Sequence, residues 1–462
     1  MTLANDVQGE GFRLYKGRGE CKRSGGKLVA VTVGVCLDGD GRVGNSGRGR
    51  IVTCGIDGDF FIDGSRDLTG PGRSPGPEGS RRPSSGTPRR DLAHGGEGQD
   101  LLRDLEGAVR ATPLPLEPAK LEGDLRAVMD GYPEAAILGI TAWDIVTALT
   151  RALAQAVDGS RGPAAPAPDS SQGGERATAG GRASADEGRW MGPDWPDGFV
   201  KRWGDLDLVL IRDRPRDPVM QMAVDQALAE GVAEGQEPPT LRLWSWSAPA
   251  VVIGRFQSLG NEVDRDAARR LGFTVVRRTT GGGAMFVEPD RVITYSLYLP
   301  ASFVEGLDVA SSYRLCDLWL IRGLNLLGVR AGWQGMNDIA SPRGKMGGAS
   351  QRRLPPAGRG PGGILHHVTL SYTVDAAKMS HVLKVSKEKL SDKAVTSARR
   401  RVDPISSQTG LSRADLVDGL LDTLPGLVRS LSAGTVDPDT MARAGSLAAG
   451  RYSDPAWTSV IV

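Results

Sequence analysis

Arg277-Arg278-Thr279-Thr280-Gly281-Gly282-Gly283-Ala284 is the stretch on which the reading of this chain turns. It continues from Thr274–Arg277, a β-branched run that reads as a strand. Three residues without a Cβ directly after a strand make a tight loop. Its backbone can approach a ligand closely and aim several N–H donors at an anion. Arg277 and Arg278 add planar, fork-like donors suited to phosphate or carboxylate. A glycine run by itself is a surface turn flanked by solvated charge. The arginine pair and the strand expected at Val292–Leu297 shift the balance toward an anion site.

A second stretch works outward from the first. Asn337-Asp338-Ile339 precedes Gly344-Lys345-Met346-Gly347-Gly348-Ala349. A lysine between glycines is a compact point charge on permissive backbone. Asn337 and Asp338 offer acceptors for Mg²⁺ or a nucleotide hydroxyl. The same fragment alone reads equally well as a polar turn with a solvated lysine. Gly358 to Gly363 matches the G-x-G-x-x-G spacing but precedes a strand and contains Pro361, so a dinucleotide site is not expected. There is no Gly-x-x-x-x-Gly-Lys-Ser/Thr stretch. His366 and His367 are adjacent on an expected strand, so they point to opposite faces and cannot share a metal. One should be buried and the other should border the site. Trp244 and Trp246 share a face and read as core.

At 462 residues the chain exceeds one ordinary domain. Its 63 glycines and 29 prolines call for long unstructured stretches between folded parts. The expected class is α+β, with a mixed sheet. Residues 12–157 read as a small α+β domain, with a strand at Lys27–Leu37, a turn at Asp38–Gly41 and a returning strand from Ile51. A disordered insertion is expected near 65–98, and helices at Leu101–Val109, Leu121–Met129 and Trp143–Ala156. Residues 158–192 are a flexible linker. Residues 193–433 alternate strands and helices, including a helix opened by Asp217-Pro218 and one over Arg413–Leu431. Residues 434–462 read as a loosely ordered tail, with a short strand at Ser459–Val462.

A net charge of +2 gives no argument for nucleic acid or a membrane surface as partner. No apolar run is long enough to span a bilayer, and Met1-Thr2-Leu3-Ala4-Asn5-Asp6 lacks an apolar signal core. Four scattered cysteines fit neither a disulfide framework nor a zinc site, and a reducing cytoplasm is the expected location.

Taken together, these stretches resemble the lipoate–protein ligase family of the wider biotin and lipoate ligase superfamily. Three ordered blocks carry the resemblance: Pro249–Gln257 with Asn261-Glu262; Arg277–Ala284 leading to Thr294-Tyr295-Ser296; and Asn337–Ile339, Gly344-Lys345 and Gly347–Gln351 followed by Leu365–Leu370. Gly25–Val29 and Gly58–Phe61 resemble the small accessory domain of such ligases, here placed before the catalytic domain. The resemblance implies ATP-dependent activation of lipoate to lipoyl-AMP, with Mg²⁺. Transfer to a lysine of lipoyl-domain proteins would follow, the acceptors being 2-oxoacid dehydrogenase acyltransferase subunits and the glycine cleavage carrier protein.

By the same resemblance Lys345 is the catalytic lysine, and Arg277, Arg278, Gly281, Gly282, Gly283 and Ala284 line the acyl and phosphate pocket. Asn337 and Asp338 hold metal and phosphate, and Gly347, Gly348, Ser350, His367 and Thr369 complete the substrate and ATP site. The chain departs from many relatives with Glu288-Pro289-Asp290 after the glycines and Met346 after Lys345. An octanoyl transferase of the superfamily would instead work through a cysteine thioester without ATP. The only cysteine of residues 193–433 is Cys316, inside a helical pattern. A catalytically idle lipoate-binding protein is the remaining alternative, and Arg277, Arg278 and Lys345 argue against it.

Overall fold

Val29, Val31, Val33 and Val35 alternate along one strand, and all four are buried in the first core. The computed structural model describes residues 13–22, 26–37, 49–63, 97–132, 136–160, 196–384 and 402–461. In the N-terminal part, β1 (Arg13–Cys21), β2 (Val29–Leu37) and β3 (Arg50–Gly58) form an antiparallel sheet with β2 at its centre. β4 (Phe61–Asp63) pairs with β5 (Ala136–Leu138). α1 (Glu97–Ala111), α2 (Pro118–Asp130) and α3 (Ala142–Ser160) pack Leu101, Leu121 and Ile145 into the same core as the valines.

Asp217 and Pro218 do what the sequence predicts: the Asp217 side chain accepts from Met220 N, and Pro218 takes the first helical position. After α4 (Asp197–Gly204) and β6 (Asp207–Arg212), that cap starts α5 (Pro218–Ala233). Next come β7 (Thr240–Trp244), β8 (Ala250–Ile253), α6 (Leu259–Glu262), α7 (Arg265–Arg270), β9 (Thr274–Arg277) and β10 (Met285–Val287). They are followed by β11 (Val292–Pro300), α8 (Val309–Leu326), β12 (Gly332–Gln334), β13 (Asp338–Ser341), β14 (Gly344–Leu354), β15 (Gly363–Ser371) and α9 (Ala376–Val382). α10 (Arg413–Leu421), β16 (Ser430–Gly434), α11 (Pro438–Leu447) and α12 (Pro455–Thr458) complete the α-helices and strands among the described residues.

The large sheet runs β12-β13-β14-β15-β11-β7-β6-β16. It is mixed: β6 pairs in parallel with β7 and β16, while the remaining pairs are antiparallel. Both faces are covered, which is why β11 reads as a continuous apolar run. Its Ile293, Tyr295, Leu297 and Leu299 meet α8 and α10 on one side. Its Val292 and Tyr298 meet α5 and α11 on the other, in the core that also holds Trp244 and Trp246. A smaller sheet, β10-β8-β9, carries the strand before the glycine turn. The expected α+β class with a mixed sheet is the class observed. Among the described residues no helix is long and apolar enough to cross a membrane.

Several expectations change. Residues after 432 are not a loose tail: α11 packs Ala444 into the α5 core, and Ser459 follows a helix rather than beginning a strand. The helix expected over Arg413–Leu431 stops at Leu421, and Ser430 already belongs to β16. Pro425-Gly426 explains the break, since proline removes a helical N–H and glycine punctuates. The turn at 38–41 and most of the stretches 65–98 and 158–192 lie outside the described residues; the rest of these two stretches, Glu97-Gly98 and Asp158 to Ser160, belongs to α1 and α3.

Candidate active site

Where β9 ends, the chain turns through Gly281–Gly283 toward β10 and opens onto a cavity of about 950 Å³. Four groups of residues converge on it. The turn contributes Arg278, Gly283 and Ala284; β13, β14 and the residue before them contribute Asn337, Asp338, Lys345, Gly347, Gly348 and Ser350. β15 contributes His367 and Thr369, and the N-terminal part contributes Lys27 and Asp59. Met285, Phe286 and Met336 give the wall apolar surface suited to an alkyl chain.

Lys345 and Asp338 face each other because β13 and β14 are antiparallel neighbours joined by a tight turn. Lys345 Nζ lies 2.8 Å from Asp338 Oδ1, and its side chain is 45% exposed, so the ammonium can leave the carboxylate for a bound anion. A second ammonium arrives from the N-terminal part: Lys27 Nζ donates to Asn337 Oδ1 at 2.6 Å. Burial pulls the Lys27 pKa below the ordinary lysine value, and Lys345 adds to this, while Asp338 and Asp59 oppose it.

Arg278 is buried, and burial lowers its pKa to about 10, so it stays charged at neutral pH. Its donors hold the turn in shape: Nη2 reaches Gly281 O at 2.6 Å and Gly283 O at 3.0 Å, and Nε reaches Thr280 Oγ1 at 2.9 Å. Ser350 Oγ donates to Gly281 O at 2.9 Å. Behind Thr280 runs a buried relay. Thr280 Oγ1 lies 2.8 Å from His367 Nε2, and His367 Nδ1 lies 2.7 Å from Asp225 Oδ2. Asp225 Oδ1 accepts from Ser296 Oγ at 2.5 Å and Tyr298 OH at 2.7 Å. Burial would raise the Asp225 carboxyl, yet the His367 ring and these hydrogen bonds hold it below the usual range. Burial lowers His367, so the ring is neutral; facing an acceptor-only carboxylate, it carries its proton on Nδ1.

Three of the sequence-predicted residues do not line the cavity. Arg277 turns away, and its guanidinium donates to the carbonyls of Gly254, Arg255, Gln257, Thr458 and Ile461. Gly281 and Gly282 face the N-terminal part instead. A Cβ at Gly281 would come 2.8 Å from Phe60 O, and the Gly282 amide donates to that same oxygen at 3.3 Å. Gly282 has φ 88°, a left-handed value that favours glycine. His366 and His367 do take opposite faces, and His366 Nε2 is buried 2.7 Å from Asp317 Oδ1.

Lys27 and Asp225 escaped the sequence reading. Lys27 had a signal, the Gly25-Gly26-Lys27 opening of a strand; Asp225 had only its polarity on an apolar helix. Among possible metal ligands, Asp338 offers a carboxylate beside the cavity, which suits Mg²⁺ held by one protein group and substrate phosphates. Asn337 fits less well, because Oδ1 holds Lys27 and Nδ2 donates to Ala349 O at 2.7 Å. None of the four cysteines lines the cavity, and Cys316 is wholly buried in the α8 core with its pKa raised by burial.

Ammonium groups, a glycine turn and an apolar wall meet in one cavity, an arrangement able to hold an anionic group beside an apolar chain. The family model described as the lipoyl protein ligase A/B catalytic domain matches residues 217–424. Octanoyltransferase LipM of Kyrpidia tusciae is 33% identical over 196 residues, 37% of this chain and 68% of that protein. The LipM of an Exiguobacterium species is 41% identical over 123 residues, 26% of this chain and only 44% of its own length. Lipoate-protein ligase A subunit 1 of Thermoplasma acidophilum is 29% identical over 224 residues, 47% of this chain and 83% of that subunit. The chain belongs to the lipoyl protein ligase A/B family, and it is an enzyme of the lipoate ligase and octanoyltransferase superfamily.

Proposed function

We propose that this enzyme is an ATP-dependent lipoate–protein ligase. A lipoate carboxylate oxygen attacks the α-phosphorus of ATP, and pyrophosphate leaves. The ε-amine of a lysine on a lipoyl-domain protein then attacks the acyl carbonyl, and AMP leaves. The observation that carries this reading is a cavity lined by Lys345, Lys27 and Arg278 and by no thiol. Bringing two anions together needs fixed positive charge at the point of attack. Lys345 supplies a movable ammonium there and Lys27 a second, with the Gly283 backbone beside them. Mg²⁺, when bound through Asp338, would polarise the phosphate oxygens. The apolar wall of Met285, Phe286 and Met336 receives the acyl chain.

The likeness to octanoyltransferases of the LipM type favours a second reading, acyl transfer from a carrier protein without ATP. The two separate in one assay. Lipoate should support ATP–pyrophosphate exchange, and Lys345→Ala should abolish it. Acyl transfer without ATP, or exchange with biotin alone, would overturn the ligase reading.

A further inference from the structure

Arg255 follows β8, Arg352 lies on β14, and Arg451 stands after α11. Arg255 and Arg451 lie over the indole of Trp457, Arg352 is close enough to both to repel them, and none of the three lines the cavity described above. Arg255 Cζ sits 4.3 Å from the Trp457 ring centroid and Arg451 Cζ 4.9 Å from it. Trp457 is itself fixed, since Nε1 donates to Arg277 O at 2.9 Å.

The three guanidinium groups make no ion pair among the described residues. Arg255 Nη1 is buried without a hydrogen-bond partner among the described residues. Neither Arg255 nor Arg352 makes a side-chain hydrogen bond or ion pair among them. Arg451 Nη1 reaches only the neutral Gln226 Oε1, at 3.0 Å. Glu230 is the carboxylate that bears on Arg352, and its Oε1 is taken by Gln226 Nε2 at 2.7 Å. Burial, with Arg277, Arg352 and Arg451 close by, lowers the Arg255 pKa to about 9. Arg277 differs from the rest because five carbonyls satisfy it.

A charged donor left unpaired in a protein interior is destabilising. Like charges gathered around it raise that cost, and guanidinium forks match tetrahedral oxyanions. We propose that Arg255, Arg352 and Arg451, walled by Trp457, form a second site that binds a small, multiply charged oxyanion of the phosphate class. The anion adds acceptors beyond the single Gln226 oxygen and ties the segment between α11 and α12 to the end of β8 and to β14.

Thermal melting of the full chain tests this, with inorganic phosphate, pyrophosphate, acetate and chloride compared at one ionic strength. Phosphate or pyrophosphate should raise the melting temperature well above the chloride value, as expected for a ligand bound only by the folded state. Arg255→Gln and Arg451→Gln should each weaken the phosphate midpoint by about tenfold, as loss of one charged hydrogen bond implies. Lys345→Ala should keep the response. If Arg255→Gln does not fold, Arg451→Gln decides. Equal stabilisation by chloride and phosphate overturns the proposal. So does a phosphate response lost in Lys345→Ala and unchanged in both arginine variants, because the anion would then occupy the cavity.

Discussion

Asp225→Asn changes one oxygen to an amide and removes one buried charge. Asp225 Oδ1 keeps its two hydroxyl donors, Ser296 and Tyr298, when the new amide places its oxygen there. The NH₂ then faces His367 Nδ1, where Oδ2 stood 2.7 Å away. Two donors cannot share that contact, so the ring must move its proton to Nε2. Nε2–H then points at Thr280 Oγ1, which already accepts from Arg278 Nε at 2.9 Å, and the threonine hydroxyl loses its acceptor. A charge-assisted bond is lost and a buried donor is orphaned, which together cost about 3 kcal/mol.

For a unit of this size that lowers Tm by about 6–12 °C. Because Thr280 orients Arg278, whose donors hold the carbonyls of the glycine turn, pyrophosphate exchange should fall as well. Acid sensitivity follows with a definite sign. Burial lowers the His367 pKa below its ordinary value of 6.5, so below about pH 6.5 the unfolded chain binds a proton that the folded ring refuses. Stability therefore falls as pH drops from there, and Asp225, held low, adds its own loss only below about pH 4. In the Asn variant the ring loses the carboxylate that supports its charged form, so the acid-side loss extends to lower pH. Calorimetry across pH, with nitrogen NMR of the ring tautomer, checks each step. An Asn variant that melts within about 2 °C of the parent, with the proton still on Nδ1, would refute the relay.

Three other outcomes are expected. Cys316→Ala should cost about 1 kcal/mol of stability and leave acyl transfer intact, because the thiol is buried in the core; lost transfer with intact folding would support a thioester route. Gly281→Ala places a Cβ 2.8 Å from Phe60 O, an overpacking of about 1–3 kcal/mol that should loosen the N-terminal part. Faster limited proteolysis of residues 13–63, with reduced pyrophosphate exchange, is the readout. Deleting Met1 to Gly192 removes Lys27 and should lower adenylate formation measured by that exchange; full activity would show the region to be dispensable.

What the sequence made legible was local. The Asp217-Pro218 cap, the strand ending in three glycines and the opposed faces of His366 and His367 each follow from a few neighbouring residues. Two misses had signals of the same kind. Asp437-Pro438 and Asp454-Pro455 cap α11 and α12 with the chemistry used at Asp217, so the supposed tail was readable as helix. The alternation that separates His366 from His367 also separates Arg277 from Arg278, and it explains why only Arg278 meets the cavity. Other features had no local signal. Ser430–Gly434 has weak strand propensity and is a strand only because β6 lies alongside it. Gly344–Leu354 reads as a turn until β13 and β15 pair with it on both sides. The Asp225–His367–Thr280 relay joins residues that only the folded sheet brings together.

The glycine run then has two separate reasons to lack side chains. Gly283 opens toward the cavity, while Gly281 and Gly282 make room for the N-terminal part, whose Phe60 stacks on Phe256 at 5.4 Å between centroids. Gly58 N donates to Phe256 O at 3.0 Å, and Gln257 Nε2 reaches Asp59 Oδ1 at 2.7 Å, so Lys27 is placed by contacts that flank the turn. Ammonium groups of the cavity thus come from two different cores, Lys345 from the large sheet and Lys27 from the N-terminal part. Anything that lifts Phe60 from the glycine turn withdraws Lys27 from the cavity at the same moment. The positive charge available to an anionic reaction centre is therefore set by packing at the back of the turn as much as by the side chains in front of it.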